Sequence, residues 1–312
     1  MLSSPSSQRK LYGLDDVFNK IIKLINDKKL PNRILIKGPS GIGKCTMAYH
    51  IINYIFSSNE ENKYDLENNI IDTNNQSFKL INNNSHPNFH LIKLMVDKKN
   101  IEISQIRKMI DFTNKSAFNN KPRFILIDNA ENLNKNSLNS LLKITEEQNE
   151  NIYFILIHNI NKKILNTLSS RFLSFNINLT YDESIIITNK ILNKNIHDLV
   201  NSDLINHYYS PGDFLNLINF SNEFKIDLNK LNLKDFLIFL IDNNLYKKSI
   251  FIKSFIFTFI EFYFLKILTS SINKNKISSY YSFFLNKFNY CDKFNLDYES
   301  LFMEFKSKIL NG

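Results

Sequence analysis

The chain has 312 residues, 43% hydrophobic and 22% charged, a globular composition long enough for two or three domains. Its two cysteines, Cys45 and Cys291, stand far apart with no C-x-x-C pair, which excludes both a cysteine zinc module and a disulfide framework. A net charge of +9 permits contact with a polyanion such as DNA but does not demand it, since Asn, Ile and Lys crowd the sequence as biased base composition would make them.

The start, "MLSSPSSQRKLYG", has no apolar core and does not read as a signal peptide; with the cysteine usage it suggests a reducing cytoplasm. Asp15–Lys29 predicts an amphipathic helix with Val17, Ile21, Leu24 and Ile25 on one face, ended by Pro31. "RILIKG" (Arg33–Gly38) is a short apolar strand, and "CTMAYHIINYIF" (Cys45–Phe56) is a helix. The Asn-rich stretch 68–84 reads as a solvated loop with little structure. Asn88–Leu94 predicts a second strand. A helix follows over 102–117, with Ile103, Ile106, Met109 and Ile110 inward. "RFILID" opens at Arg123 as a third strand ending in Asp128. Asn136–Gln148 is a helix and Ile152–Asn159 a fourth strand. Strands with continuous apolar runs, alternating with helices, predict a parallel sheet covered on both faces, with ligands beyond the C-terminal strand ends. Past Phe175 helices take over: about Asp182–Leu192, His197–Tyr208, Pro211–Asn219, then an all-helical remainder from about Phe224. "IFIKSFIFTFIEFYFLKIL" (Ile250–Leu268) is broken by Lys253, Glu261 and Lys266, each costing about 2.5–3.5 kcal/mol near a bilayer centre, so a helix packed in a helical domain is expected rather than a membrane span.

"GPSGIGKCT" (Gly38–Thr46) lies between the first strand and its helix, the context that a phosphate-binding loop requires. Gly38, Gly43 and Lys44 fill the pattern G-x-x-x-x-G-K-[ST]. Gly41 and Gly43 let the backbone approach phosphates, and Lys44 brings a point charge. Cys45 stands where a magnesium-holding hydroxyl belongs. A thiol is too soft for that ion, and Thr46 is turned away by about 100° on the helix. Cys45 therefore reads as a small buried hydrophobe. Asp128 is followed by Asn129 and not by an acid able to activate water, a loss of about 10²–10⁴ in rate. Glu131, two residues on, reads as an exposed loop acid, the alternative being an acid that reaches into the site in place of Asn129. Arg171, in "LSSRF", reads either as a surface residue or as a guanidinium pointing out of the subunit.

Taken together, "LPNRILIKGPSGIGKCTMA", "SHPNFHLI", "ISQIRKM", "FILIDNAENLNKNSLNSLLKITEE", "LSSRF" and "SPG" (Ser210–Gly212) resemble the AAA+ clamp-loader family over about residues 11–225. The resemblance implies an AAA+ P-loop domain over 1–177, a small helical lid over 178–225 and an all-α collar over 226–312. It implies a DNA-replication role as an accessory part of a DNA polymerase holoenzyme. The expected partners are gamma/tau and delta subunits in a heteropentameric ring that places the sliding clamp on primed DNA, with no membrane. Ser170 and Arg171 match the family's Ser-Arg-Cys motif, with Phe172 in place of Cys; Arg171 thereby inherits the role of an arginine finger acting in trans. Asn159 matches the sensor-one region. The place of a sensor-two arginine falls near Gly212, where there is none. Gly38, Gly41, Gly43, Lys44, Cys45, Thr46 and Asp128 would form a degenerate site holding ATP or ADP without hydrolysis, with no metal and no zinc. The competing expectations are an active gamma/tau-type ATPase and a plain DNA-binding module.

Overall fold

The computed structural model describes residues 4–311 apart from 96–97, 99, 116–120, 147–150, 164–165, 249, 271–272 and 295. Five strands form one parallel sheet in the order β2-β3-β4-β1-β5: β1 (Arg33–Gly38), β2 (Phe89–Ile92), β3 (Arg123–Ile127), β4 (Ile152–Asn159) and β5 (Leu173–Asn176). β3 is buried at every position, as a central strand covered on both faces must be. The α/β expectation with a parallel sheet therefore holds.

Alternate residues of each strand serve opposite faces. Ile34 and Ile36 of β1 pack with α1 (Asp15–Asn26) and α2 (Lys44–Phe56), through Phe18, Ile21, Met47 and Ile51. Leu35 faces the other way, onto Ile106 and Met109 of α4 (Ile103–Asn114) and Leu138 and Leu141 of α5 (Lys135–Glu146). α1 carries Asp15 and Asp16 in its first turn and Lys23 in its last, which suits the helix dipole.

Three sequence expectations needed correction. The Asn-rich stretch is not a bare loop: it contains α3 (Gln76–Asn82), whose cap Asn75 is fully buried. β5 is a strand that the sequence reading left out; four residues, two of them exposed, carry too little apolar signal. The helix expected over His197–Tyr208 is only α8 (Ile196–Leu199) and a 3₁₀ turn at Ser202–Leu204. The predicted end of α5 at 147–148 lies outside the described residues.

The chain divides into two compact units: Met1–Asn193 with Tyr208–Phe220, and Lys194–His207 with Ser221–Gly312. The first also contains α6 (Asn166–Ser169), α7 (Tyr181–Leu192) and most of α9 (Pro211–Phe224). The second is helical, with α10 (Leu233–Asp242), α11 (Ile250–Ser270), α12 (Lys274–Phe294), α13 (Glu299–Phe305) and a π-helical turn at Lys306–Leu310. Its core is aromatic: Phe264 lies 5.7 Å from Phe305 and 6.1 Å from Phe284, ring centre to ring centre. Among the described residues no helix is long and apolar enough to cross a membrane.

Candidate nucleotide site

The loop between β1 and α2 turns through two left-handed glycines, Gly41 (φ +75°) and Gly43 (φ +92°). Side chains seldom adopt that conformation. Gly43 is the N-cap of α2 and offers no side-chain cap, so the first N–H groups of the helix remain available to an anion. Lys44 is buried, and its Nζ donates to the carbonyl of Gly38 at 2.8 Å and to that of Pro39. Burial pushes its pKa down, against the pull of the Glu131 and Asp128 carboxylates.

A cavity of about 450 Å³ opens over this loop, within the ~300–1,000 Å³ range of ligand pockets. Gly41, Gly43, Lys44, Cys45, Thr46 and Asp128 all line it, as do Asn129 and Asn159. Gly38 does not; it ends β1, opposite Asn159 of β4 in the sheet register, and holds Lys44 through its carbonyl. All these groups belong to the first unit. The cradle fits phosphates, since every element of the anion site is backbone or lysine.

The cation position does not fit. The Cys45 thiol lines the cavity with Asp128, and burial followed by the Asp128 charge pushes its pKa well up. It therefore stays protonated at neutral pH. A protonated thiol is a poor host for magnesium, which takes oxygen ligands in octahedral array. Burial also raises the pKa of Asp128, although the Asn129 N–H donates to it at 3.0 Å. Asn129 occupies a left-handed conformation (φ +56°) and turns the chain beside the cavity.

Glu131 corrects the sequence reading. Its side chain is only 2% exposed, against the expected exposed loop acid. Oε2 accepts the Asn159 N–H at 3.2 Å, and Lys162 lies 3.8 Å from Oε1. Glu131 thus ties the end of β3 to the end of β4. Sequence reasoning missed this because the partner is 28 positions away. It also passed over His158, 4% exposed, whose Nε2 donates to the Lys162 carbonyl at 3.1 Å.

"SPG" packs directly on the loop. The Gly212 N–H donates to the Gly41 carbonyl at 2.9 Å. A Cβ at Gly212 would stand 2.6 Å from Gly41 Cα, and one at Gly41 would stand 2.2 Å from Ser210 Oγ. A side chain at 212 is therefore excluded sterically: the loop backbone already occupies its space.

Arg171 lies outside this cavity. It follows α6 and is 36% exposed, with its guanidinium against Glu146 at the end of α5.

Sheet order, glycine loop and covering helices are those of an AAA+ P-loop domain. A family model described as "DNA polymerase III, delta subunit" matches residues 13–180, more than half of the chain, and the chain belongs to that family. It is 28% identical over 187 residues to the DNA polymerase III subunit delta′ of Buchnera aphidicola subsp. Schizaphis graminum, covering 59% of this chain and 54% of that protein. It is 32% identical over 106 residues to subunit delta′ of Buchnera aphidicola subsp. Baizongia pistaciae, about a third (32%) of each. It is also similar to the DNA polymerase III subunit gamma/tau of Mycoplasma genitalium, 29% identical over 55% of this chain and 27% of that protein. The match thus spans about half the length of the first of these relatives.

Proposed function

We propose that the chain is a clamp-loader subunit of delta′ type: it occupies a heteropentameric ring with gamma/tau and delta subunits, which places the sliding clamp on primed DNA during replication. In this reading residues 1–177 form the nucleotide domain, 178–225 a lid and 226–312 a collar. The loop holds ATP or ADP through backbone N–H groups and Lys44 without hydrolysing it. Arg171 acts on the ATP of the neighbouring subunit, where a guanidinium supplied in trans contributes about 10³–10⁵ in rate.

The observation that carries this reading is a protonated Cys45 thiol lining the same cavity as Asp128 and Asn129. One of the two groups that would hold the cation is thus a thiol, and the residue after Asp128 is an amide that accepts no proton from water. Membership of the family and the likeness to delta′ relatives support the same role. The competing reading, an active gamma/tau-type ATPase, draws on the gamma/tau likeness and on the burial of Glu131 near Asp128. Against it, both oxygens of Glu131 face β4-side partners, Asn159 and Lys162.

The test is reconstitution with gamma/tau and delta subunits. We expect the purified chain to show no steady ATP turnover and to co-purify with those subunits. Arg171→Ala should slow the ATPase of the ring while leaving assembly intact, and Lys44→Ala should leave ring turnover near wild type. Steady turnover by the chain alone would replace this reading with the motor. Tight, salt-sensitive DNA binding without affinity for the subunits would replace it with a DNA-binding module.

A further inference from the structure

Glu146 is the last residue of α5, and Arg171 lies 25 positions later, two residues beyond α6. The two meet side-on. Arg171 Nε donates to Glu146 Oε1 at 3.0 Å, and Nη2 lies 2.8 Å from the same oxygen. Nη1 donates to the Thr167 carbonyl at 2.8 Å. A guanidinium carries its five N–H groups in one rigid plane. One N–H on each terminal nitrogen is left without an acceptor among the described residues. Two acceptors from two elements thus grip one side of a group that is otherwise 36% exposed.

An exposed ion pair adds little to a fold. Fixing an arginine before it meets its ligand has a different value. A free side chain of this length loses rotamer entropy when it is immobilised, and a preorganised one has lost it already. We infer that Glu146 is a positioning residue for Arg171: with the Thr167 carbonyl it orients the guanidinium so that the two remaining N–H groups present a fork to a phosphate of the adjoining subunit. The inference rests on the reading that Arg171 acts in trans. It adds a residue to that reading which makes no contact with the nucleotide itself.

The test measures kcat and KM for ATP in the reconstituted ring with Arg171→Ala, Glu146→Ala, Glu146→Gln and the double variant Glu146→Ala/Arg171→Ala. Misplacing a catalytic group by about 1 Å costs up to about 10²-fold, so Glu146→Ala should lower kcat about 10- to 100-fold. KM should hold within about twofold, because ground-state binding is untouched. Glu146→Gln keeps an acceptor oxygen and should recover part of the rate. The double variant should be no slower than Arg171→Ala alone, since Glu146 works only through that side chain. Wild-type or faster turnover by Glu146→Ala, beside a slow Arg171→Ala, overturns the positioning role and leaves the trans reading standing; so does a double variant slower than Arg171→Ala. Wild-type turnover by Arg171→Ala overturns both.

Discussion

On the proposed reading, replacing the Cys45 thiol by the hydroxyl of serine would supply an oxygen ligand for magnesium beside Asp128 but leave Asn129 in place. We expect nucleotide binding by the native chain to change less than about twofold when EDTA removes magnesium, because its anion site is backbone and Lys44. With Cys45→Ser the affinity should become magnesium-dependent while turnover stays absent; titration of a fluorescent ATP analogue with and without EDTA reads both. A second residue-scale prediction concerns His50, fully buried, whose Nε2 donates to the Gln8 carbonyl at 3.0 Å and whose Nδ1 accepts the Tyr64 hydroxyl at 2.8 Å. Burial lowers its pKa from 6.5 to about 4. Well above pH 6.5 neither the folded nor the unfolded imidazole is charged, and His50 adds no pH dependence. As pH falls from 6.5 to 4 the unfolded state takes the proton first, so stability is lost across that window, by on the order of 3 kcal/mol. His50→Gln should flatten the dependence of the urea midpoint on pH over that range; an equally steep profile would assign the acid sensitivity elsewhere. At this scale the loop was legible, because Gly41, Gly43 and Lys44 act within one turn of chain. Glu131 was not, because its burial depends on β4 and Lys162 and nothing in its own neighbourhood announces that.

Composition misled most at the level of elements. The run of Asn around α3 looks solvated, yet Asn75 is a cap: its Oδ1 accepts the Phe78 N–H at 2.7 Å and the Asn53 amide at 3.0 Å, and its Nδ2 donates to the Asn62 carbonyl at 2.9 Å. Glu60 adds a bond from the Gln76 N–H at 2.8 Å. Asn75→Ala breaks three bonds and strands the buried Asn53, so the chain should lose about 1–3 kcal/mol in urea denaturation. A loss below a few tenths would mean that α3 does not depend on this cap. β1, β3 and β4 were readable because a strand buried on both faces must be apolar throughout. β5 is half-exposed and short, so it carries no such run.

For the molecule as a whole, the aromatic content divides the work. The second unit is held by rings stacked edge to face: Phe305 meets Phe264, Phe284 and Tyr263 at 5.7, 5.4 and 6.4 Å between centres. Phe305→Ala empties the middle of that cluster and should cost about 3–5 kcal/mol, seen as an earlier urea transition of a chain whose P-loop still binds nucleotide. Loss of nucleotide binding at the same denaturant concentration would show that the two units unfold as one. In the first unit, the contact of Gly212 with Gly41 reaches beyond packing. It leaves no room for a longer side chain at that point. An arginine introduced at 212 would have to displace a neighbouring main chain, so enlarging this position requires two segments to be remodelled together, and no single substitution achieves it.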